Sequence, residues 1–156
     1  MSYKLYYGNV LDTKCRIIGH GVNCKGVFGS GVAKSIADVY PEVRKKYLLR
    51  YNRGGWKLGE VQIVEIPASN MWFVNMATQE SYGREPNKVY VDYPSVGICL
   101  NKLLSFAEGN GLDCVAIPKI GCGLAGGDWK IVEKIIQECV QGRKIDLEVW
   151  EYNASL

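Results

Sequence analysis

The apolar positions of the chain fall into short runs that alternate between two periods. Tyr3-Lys4-Leu5-Tyr6-Tyr7 and Arg16 to Val22 are compact, β-favouring runs closed by glycine or polar residues, and both read as strands. Val32 to Tyr40 spaces its apolar residues for a helix, which Pro41 breaks or restarts into a second helical piece reaching Tyr51. Val61 to Ile66 alternates as a half-buried strand does. Met71 to Met76 follows across Pro67-Ala68-Ser69-Asn70, so the two runs predict a hairpin. From Pro94, Val96, Leu100, Leu103, Leu104 and Ala107 recur at helical spacing until Gly109-Asn110-Gly111 stops them. A strand at Cys114–Ile117, a helix burying Trp129, Val132, Ile135, Ile136 and Cys139, and a last strand at Leu147–Trp150 complete the pattern.

Strands alternating with helices predict an α/β fold with a mixed central sheet between two helical layers, a three-layer α/β/α arrangement. No repeat, linker or low-complexity stretch interrupts it, so residues 1–156 are read as a single domain, with Glu80 to Lys88 polar enough for a mobile loop. Ligands of such sheets bind beyond the carboxyl ends of the strands.

Composition narrows the class. Apolar residues are 47% and charged residues 22%, the balance of a globular domain able to bury a core. No apolar run approaches the roughly 18 residues of a membrane span and no leader pattern opens the chain, so no membrane partner is expected. The net charge of +3 is spread along the sequence, which gives no reason to expect nucleic-acid binding. Six cysteines without C-x-x-C spacing and one histidine make a zinc site improbable, and no metal or other cofactor is expected. Several cysteines lie inside apolar patterns, where a thiol behaves as a small hydrophobe, so reduced cysteines and a cytoplasmic location are expected rather than a disulfide framework.

Two segments carry candidate chemistry. Gly19 to Ala33 runs from a strand through glycines into a helix, and Pro118 to Trp129 repeats that sequence of elements. Each offers backbone N–H groups and a helix N-terminus to an anion, and two such junctions in one domain suit the two sides of a diphosphate. Glycines after strands also make plain αβ turns, but the pairing of both loops with Asn23 and Asp128 favours a site. Gly26 and Gly31 are followed by Val32-Ala33-Lys34-Ser35, so the phosphate-loop motif fails; the dinucleotide fingerprint fails too.

These residues resemble the macro domain family over essentially the whole chain. Gly8-Asn9-Val10, the Asn23 turn, Gly29-Ser30-Gly31-Val32 and Ile120-Gly121-Cys122-Gly123-Leu124 are its landmarks. His20 to Cys24 together with Gly121 to Trp129 are most similar to the branch that hydrolyses ADP-ribose 1″-phosphate. The resemblance implies that Asn9 and Val10 lie near the adenine and that Asn23 reaches the distal ribose. Gly29, Ser30, Gly31 and Val32 would wrap the phosphates with Ile120, Gly121, Cys122, Gly123, Leu124 and Ala125, and Trp150 would stack on the base, with Tyr152 as the fallback. Many members carry an acidic residue where Asn9 stands, and an amide meets the exocyclic amine less strongly.

Hydrolysis needs a group that handles a proton near the distal ribose, and His20, Asn23 and Asp128 are the catalytic candidates. Asp128 reads equally as the N-cap of the following helix. His20 reads as a structural residue or as an acid–base group. Cys24 and Cys122 lack a histidine partner for thiolate chemistry and are read as packing residues. Branches that remove ADP-ribose from acylated glutamate or thymidine use a lysine after the fourth strand, where Gln79 stands here. The implied activity is a metal-independent phosphatase acting on ADP-ribose 1″-phosphate as a monomer. The alternatives are hydrolysis of ADP-ribose from protein, O-acetyl-ADP-ribose or nucleic acid, and a reader that binds ADP-ribose without turnover.

Overall fold

The computed structural model describes residues 3–123 and 125–152. Its elements are β1 (Lys4–Tyr7), β2 (Ile17–Asn23), α1 (Gly31–Val39), α2 (Pro41–Arg53), β3 (Val61–Ile66), β4 (Met71–Gln79), α3 (Tyr93–Gly109), β5 (Cys114–Pro118), α4 (Trp129–Val140) and β6 (Asp146–Glu151). The sheet runs β1-β6-β5-β2-β4-β3, parallel except for β3, which pairs antiparallel with β4 from Val61↔Met76 to Ile66↔Met71. A 3₁₀ turn at Pro67–Ser69 and left-handed Asn70 close the expected hairpin.

Neighbouring residues on each strand sort to opposite faces, as the period of two requires. Ile17, Val74, Val115, Ile117, Leu147 and Val149 pack with Val96, Leu100, Leu103 and Ile136 beneath α3 and α4. Ile18, Val22, Phe73, Ala77 and Ala116 pack with Ile36, Val43 and Tyr47 beneath α1 and α2. The result is the three-layer fold expected. Helix ends follow local chemistry: Asp92 caps α3 through Ser95 N–H, and Pro41 sits in the first turn of α2, where its missing N–H costs nothing.

The sequence reading fails at one pair of cysteines. Cys15, just before β2, and Cys114, which opens β5, form a disulfide with Cα atoms 5.5 Å apart. The two lie 99 residues apart, and only the adjacency of β2 and β5 in the sheet brings them together. Cys24, Cys99, Cys122 and Cys139 are free thiols, so the expectation of wholly reduced cysteines, and the ground it gave for a cytoplasmic location, is overturned for this pair. No helix among the described residues is long and apolar enough to cross a membrane.

Candidate functional site

A cavity of about 380 Å³ opens beyond the carboxyl ends of β2, β4 and β5. Both glycine-rich segments line it, the first from His20 to Ala33 and the second from Pro118 to Ala125, and the third wall is Thr78 to Arg84. Of the residues singled out in sequence, His20, Asn23, Gly29, Ser30, Gly31, Val32, Ile120, Gly121, Cys122, Gly123 and Ala125 are in that lining. Leu124 lies outside the described residues. Asn9, Val10, Asp128 and Trp150 are not in the lining.

The first wall is shaped by Asn23, whose side chain is spent on its own loop. Its Oδ1 accepts from Lys25 N–H at 2.9 Å and its Nδ2 donates to the Val27 carbonyl at 2.8 Å. From below, the buried Tyr47 hydroxyl lies 2.7 Å from the Asn23 carbonyl and 3.0 Å from Oδ1, with one proton to share, and accepts from Gly26 N–H. The loop then delivers Ser30 and left-handed Gly31 to the start of α1, where no side chain caps the first turn. Uncapped N–H groups at a helix start are what an anion binds.

The second wall is a tight backbone knot. Gly127 N–H donates to the Gly121 carbonyl at 2.6 Å, and a Cβ at position 127 would sit 2.3 Å from that same oxygen, so only glycine fits. The Tyr90 and Val91 N–H groups both reach the Ala125 carbonyl, fastening this wall to the segment that follows the third one. Burial raises the Cys122 thiol, with the nearby Asp128 carboxylate adding to the shift against the lowering effect of Lys119. Burial, then Glu80, likewise pushes Cys24 up to about 11, so neither is a ready thiolate.

The third wall was not legible in the sequence. Thr78 is buried, and its Oγ1 would lie 2.5 Å from a Cβ at Gly21. Gln79 donates to the Ser81 carbonyl at 2.8 Å, turning the chain so that Tyr82 and Arg84 face the cavity. Tyr82 is half exposed, and Arg84 stands in none of the five ion pairs found among the described residues. The cavity's other lining cation, Lys119, is held by Glu151 at 3.1 Å and over the Trp129 ring at 4.9 Å.

His20 is 1% exposed, with Nε2 2.6 Å from Asn75 Oδ1; an amide oxygen only accepts, which puts the proton on Nε2. Its Nδ1 is buried without a hydrogen-bond partner among the described residues, and its ring meets Phe28 edge-on at 5.4 Å. Burial lowers its pKa to about 4 against the opposing pull of the Asn75 bond, so the imidazole is neutral at ordinary pH. Asp128 is the exposed N-cap of α4: its Oδ1 accepts from Lys130 N–H at 2.9 Å, and its own N–H donates to Tyr93 Oη.

The residues read as adenine contacts have local roles. Asn9 Oδ1 caps the short 3₁₀ turn at Val10–Asp12, and Val10 is buried under it. Trp150 stacks one face on Tyr6 at 4.9 Å and donates to Glu148, while Tyr152 is 68% exposed. The cluster of metal-ligand type found among the described residues, Cys15, Cys114 and Glu148, lies at the opposite end of β5 from the cavity, and the disulfide consumes both of its thiols.

The family model of the Macro domain matches residues 20–136, and the chain belongs to that family. A 17.5 kDa protein of enterobacteria phage T4 is 29% identical over 138 residues, 86% of each chain. A DNA ADP-ribosyl glycohydrolase of Thermus aquaticus is 26% identical over 93% of this chain, which spans only 39% of that protein. An ADP-ribose 1″-phosphate phosphatase of Saccharomyces cerevisiae is 24% identical over 84% of this chain and 89% of its own. Among solved structures, Thermosipho africanus DarTG in complex with ADP-ribose superimposes with a TM-score of 0.79 at 18% identity, over 98% of this chain and 42% of that one.

Proposed function

We propose that the cavity binds ADP-ribose and that the chain hydrolyses ADP-ribose 1″-phosphate to ADP-ribose and inorganic phosphate. The carrying observation is that two glycine-rich loops line one cavity whose third wall adds Arg84, a cation in no ion pair among the described residues. The loops from Gly29 to Val32 and from Ile120 to Ala125 hold the diphosphate, and Arg84 neutralises the terminal phosphate, which a ligand ending in ribose alone would not need. Gln79 supplies no amine for a covalent adduct with the ribose, which favours attack of water on phosphorus over a lysine route. In that step the water oxygen bonds to phosphorus, the bond from phosphorus to the ribose oxygen breaks, a proton from the water ends on that ribose oxygen, and no metal is required.

Within this reading the Asp128 carboxylate, exposed outside the cavity lining but near enough to Cys122 to raise its thiol, takes the proton from the attacking water and returns it to the departing ribose oxygen. His20, read from sequence as an acid–base candidate, is instead a positioning residue, because a fully buried imidazole with a pKa near 4 is a poor base and carries no proton to donate from Nδ1. Asn23 positions the first loop rather than touching the reacting atoms. Tyr152, free of the stacking that occupies Trp150, covers the base.

The test is phosphate release from ADP-ribose 1″-phosphate. Wild type releases phosphate; Arg84→Ala raises KM by about tenfold through loss of a charge-assisted contact; Asp128→Asn lowers kcat by about a hundredfold or more. Binding of ADP-ribose without any phosphate release overturns the reaction and leaves a reader. A second reading, release of ADP-ribose from modified DNA, is favoured by the name of the Thermus aquaticus relative. Free ADP-ribose appearing from ADP-ribosylated DNA, with no phosphate from the small substrate, selects it.

A further inference from the structure

The charges that look evenly spread in the sequence are gathered by the fold onto one helix. Arg44, Lys45, Lys46, Arg50 and Arg53 stand on α2 against a single carboxylate, Glu42, so this helix alone is more positive than the whole chain at +3. Arg50 is consumed internally: it donates to the Val61 carbonyl, pairs with Glu60 at 3.1 Å and lies 4.2 Å over the Trp56 ring. Arg44, Lys45, Lys46 and Arg53 are exposed and stand in none of the ion pairs found among the described residues.

Two of these free cations line a concavity of about 470 Å³ beside the edge strand β3, with Leu49, Gly54 and Gly55 between and beyond them. Lys46 and Arg53 are seven residues apart, two helical turns or about 10 Å. That separation is too wide for both to grip one phosphate, but it suits successive phosphates of an extended polyanion. Leu49 lies between them and is 40% exposed, an apolar floor between two charges. The groove lies on the face of α2 turned away from Tyr47 and Tyr51, which pack toward the first wall of the cavity.

We propose that this groove of α2 binds the backbone of a single-stranded nucleic acid, with unpaired bases resting on Leu49. A positive groove that tracks the backbone is how single strands are held without sequence preference. A bilayer calls for an apolar protrusion beside the cations rather than a recess, and a duplex has no free bases to offer the leucine. The inference goes beyond the hydrolase reading and does not depend on it.

The experiment is fluorescence anisotropy of a labelled oligothymidylate titrated with the full chain. With two phosphates neutralised by Lys46 and Arg53, affinity falls roughly sevenfold between about 50 and 200 mM salt. Lys45→Ala/Lys46→Ala/Arg53→Ala, all at exposed helix positions, weakens binding at low salt by about tenfold or more. Lys4→Ala/Lys134→Ala/Lys144→Ala, which removes the same charge elsewhere, stays within about twofold of wild type, and both triple variants release phosphate from ADP-ribose 1″-phosphate as wild type does. Equal weakening by the two triple variants, absence of binding at low salt, or tighter binding to phosphatidylserine vesicles than to the oligonucleotide overturns the proposal. Because anisotropy reads the oligonucleotide alone, a chain that binds it but releases no phosphate condemns the phosphatase reading and not this one.

Discussion

His20 and Asn75 stand side by side on β2 and β4, and the bond between Nε2 and Oδ1 holds the chain's single histidine under the floor of the cavity. Asn75 is itself fixed by Gln62 Oε1 at 3.0 Å, so the imidazole is oriented by a short polar relay through the core. Burying a neutral imidazole makes the fold sensitive to acid in a definite window.

The folded pKa of about 4 lies below the unfolded value near 6.5, so between those limits the unfolded chain binds the proton more readily. Stability from this group is complete above pH 6.5 and drains as pH falls toward 4, by about 3 kcal/mol. Urea unfolding at pH 7 and pH 4 measures it, and His20→Gln should flatten that part of the dependence.

Gly21→Ala places a methyl group against Thr78 Oγ1 and is expected to cost about 1–3 kcal/mol. Adding Thr78→Ala removes the clashing oxygen, so the double variant should be more stable than the sum of the two single effects. A thermal-melt cycle of the four proteins checks the coupling.

Tyr47→Phe deletes the hydroxyl that ties Asn23 and Gly26 together and leaves their buried polar groups short of a partner. A loss of about 1–3 kcal/mol is expected. Calorimetry with ADP-ribose should show affinity weakened by about tenfold, because the first loop loses its support.

Reduction of the Cys15–Cys114 link should destabilise the chain by about 2–5 kcal/mol, since it closes a long loop of the unfolded state. Denaturation with and without a dithiol reductant measures the difference. The Cys15→Ser/Cys114→Ser variant should show no response to the reductant.

Regular elements were legible because their evidence is local: the restart at Pro41, the hairpin turn at Pro67 and the stop at Gly109 all act on immediate neighbours. So were the two cavity-lining loops, whose glycines announce themselves. Sheet order left no local mark, which is why the pairing of Cys15 with Cys114 escaped detection. Tyr82 and Arg84 escaped too, in a segment with no periodicity, fastened by the Tyr90 hydroxyl near Glu85 and by Gln79. The basic character of the second helical piece was legible, but only helical winding puts Lys46 and Arg53 on one side. The burial of His20 and the stacking of Trp150 on Tyr6 left no mark in the sequence, since both are properties of the packed chain.

The fastening of the Ala125 carbonyl to the Tyr90 and Val91 amides joins two surfaces of the cavity that the chain makes thirty-odd residues apart. The wall around Gly121 and the strap bearing Arg84 are therefore tied to each other by main-chain bonds, so a shift of one bears on the other. Clipping either end of a bound nucleotide should then loosen the grip on the other, so fragments of the ligand will bind more weakly than their shares of the whole.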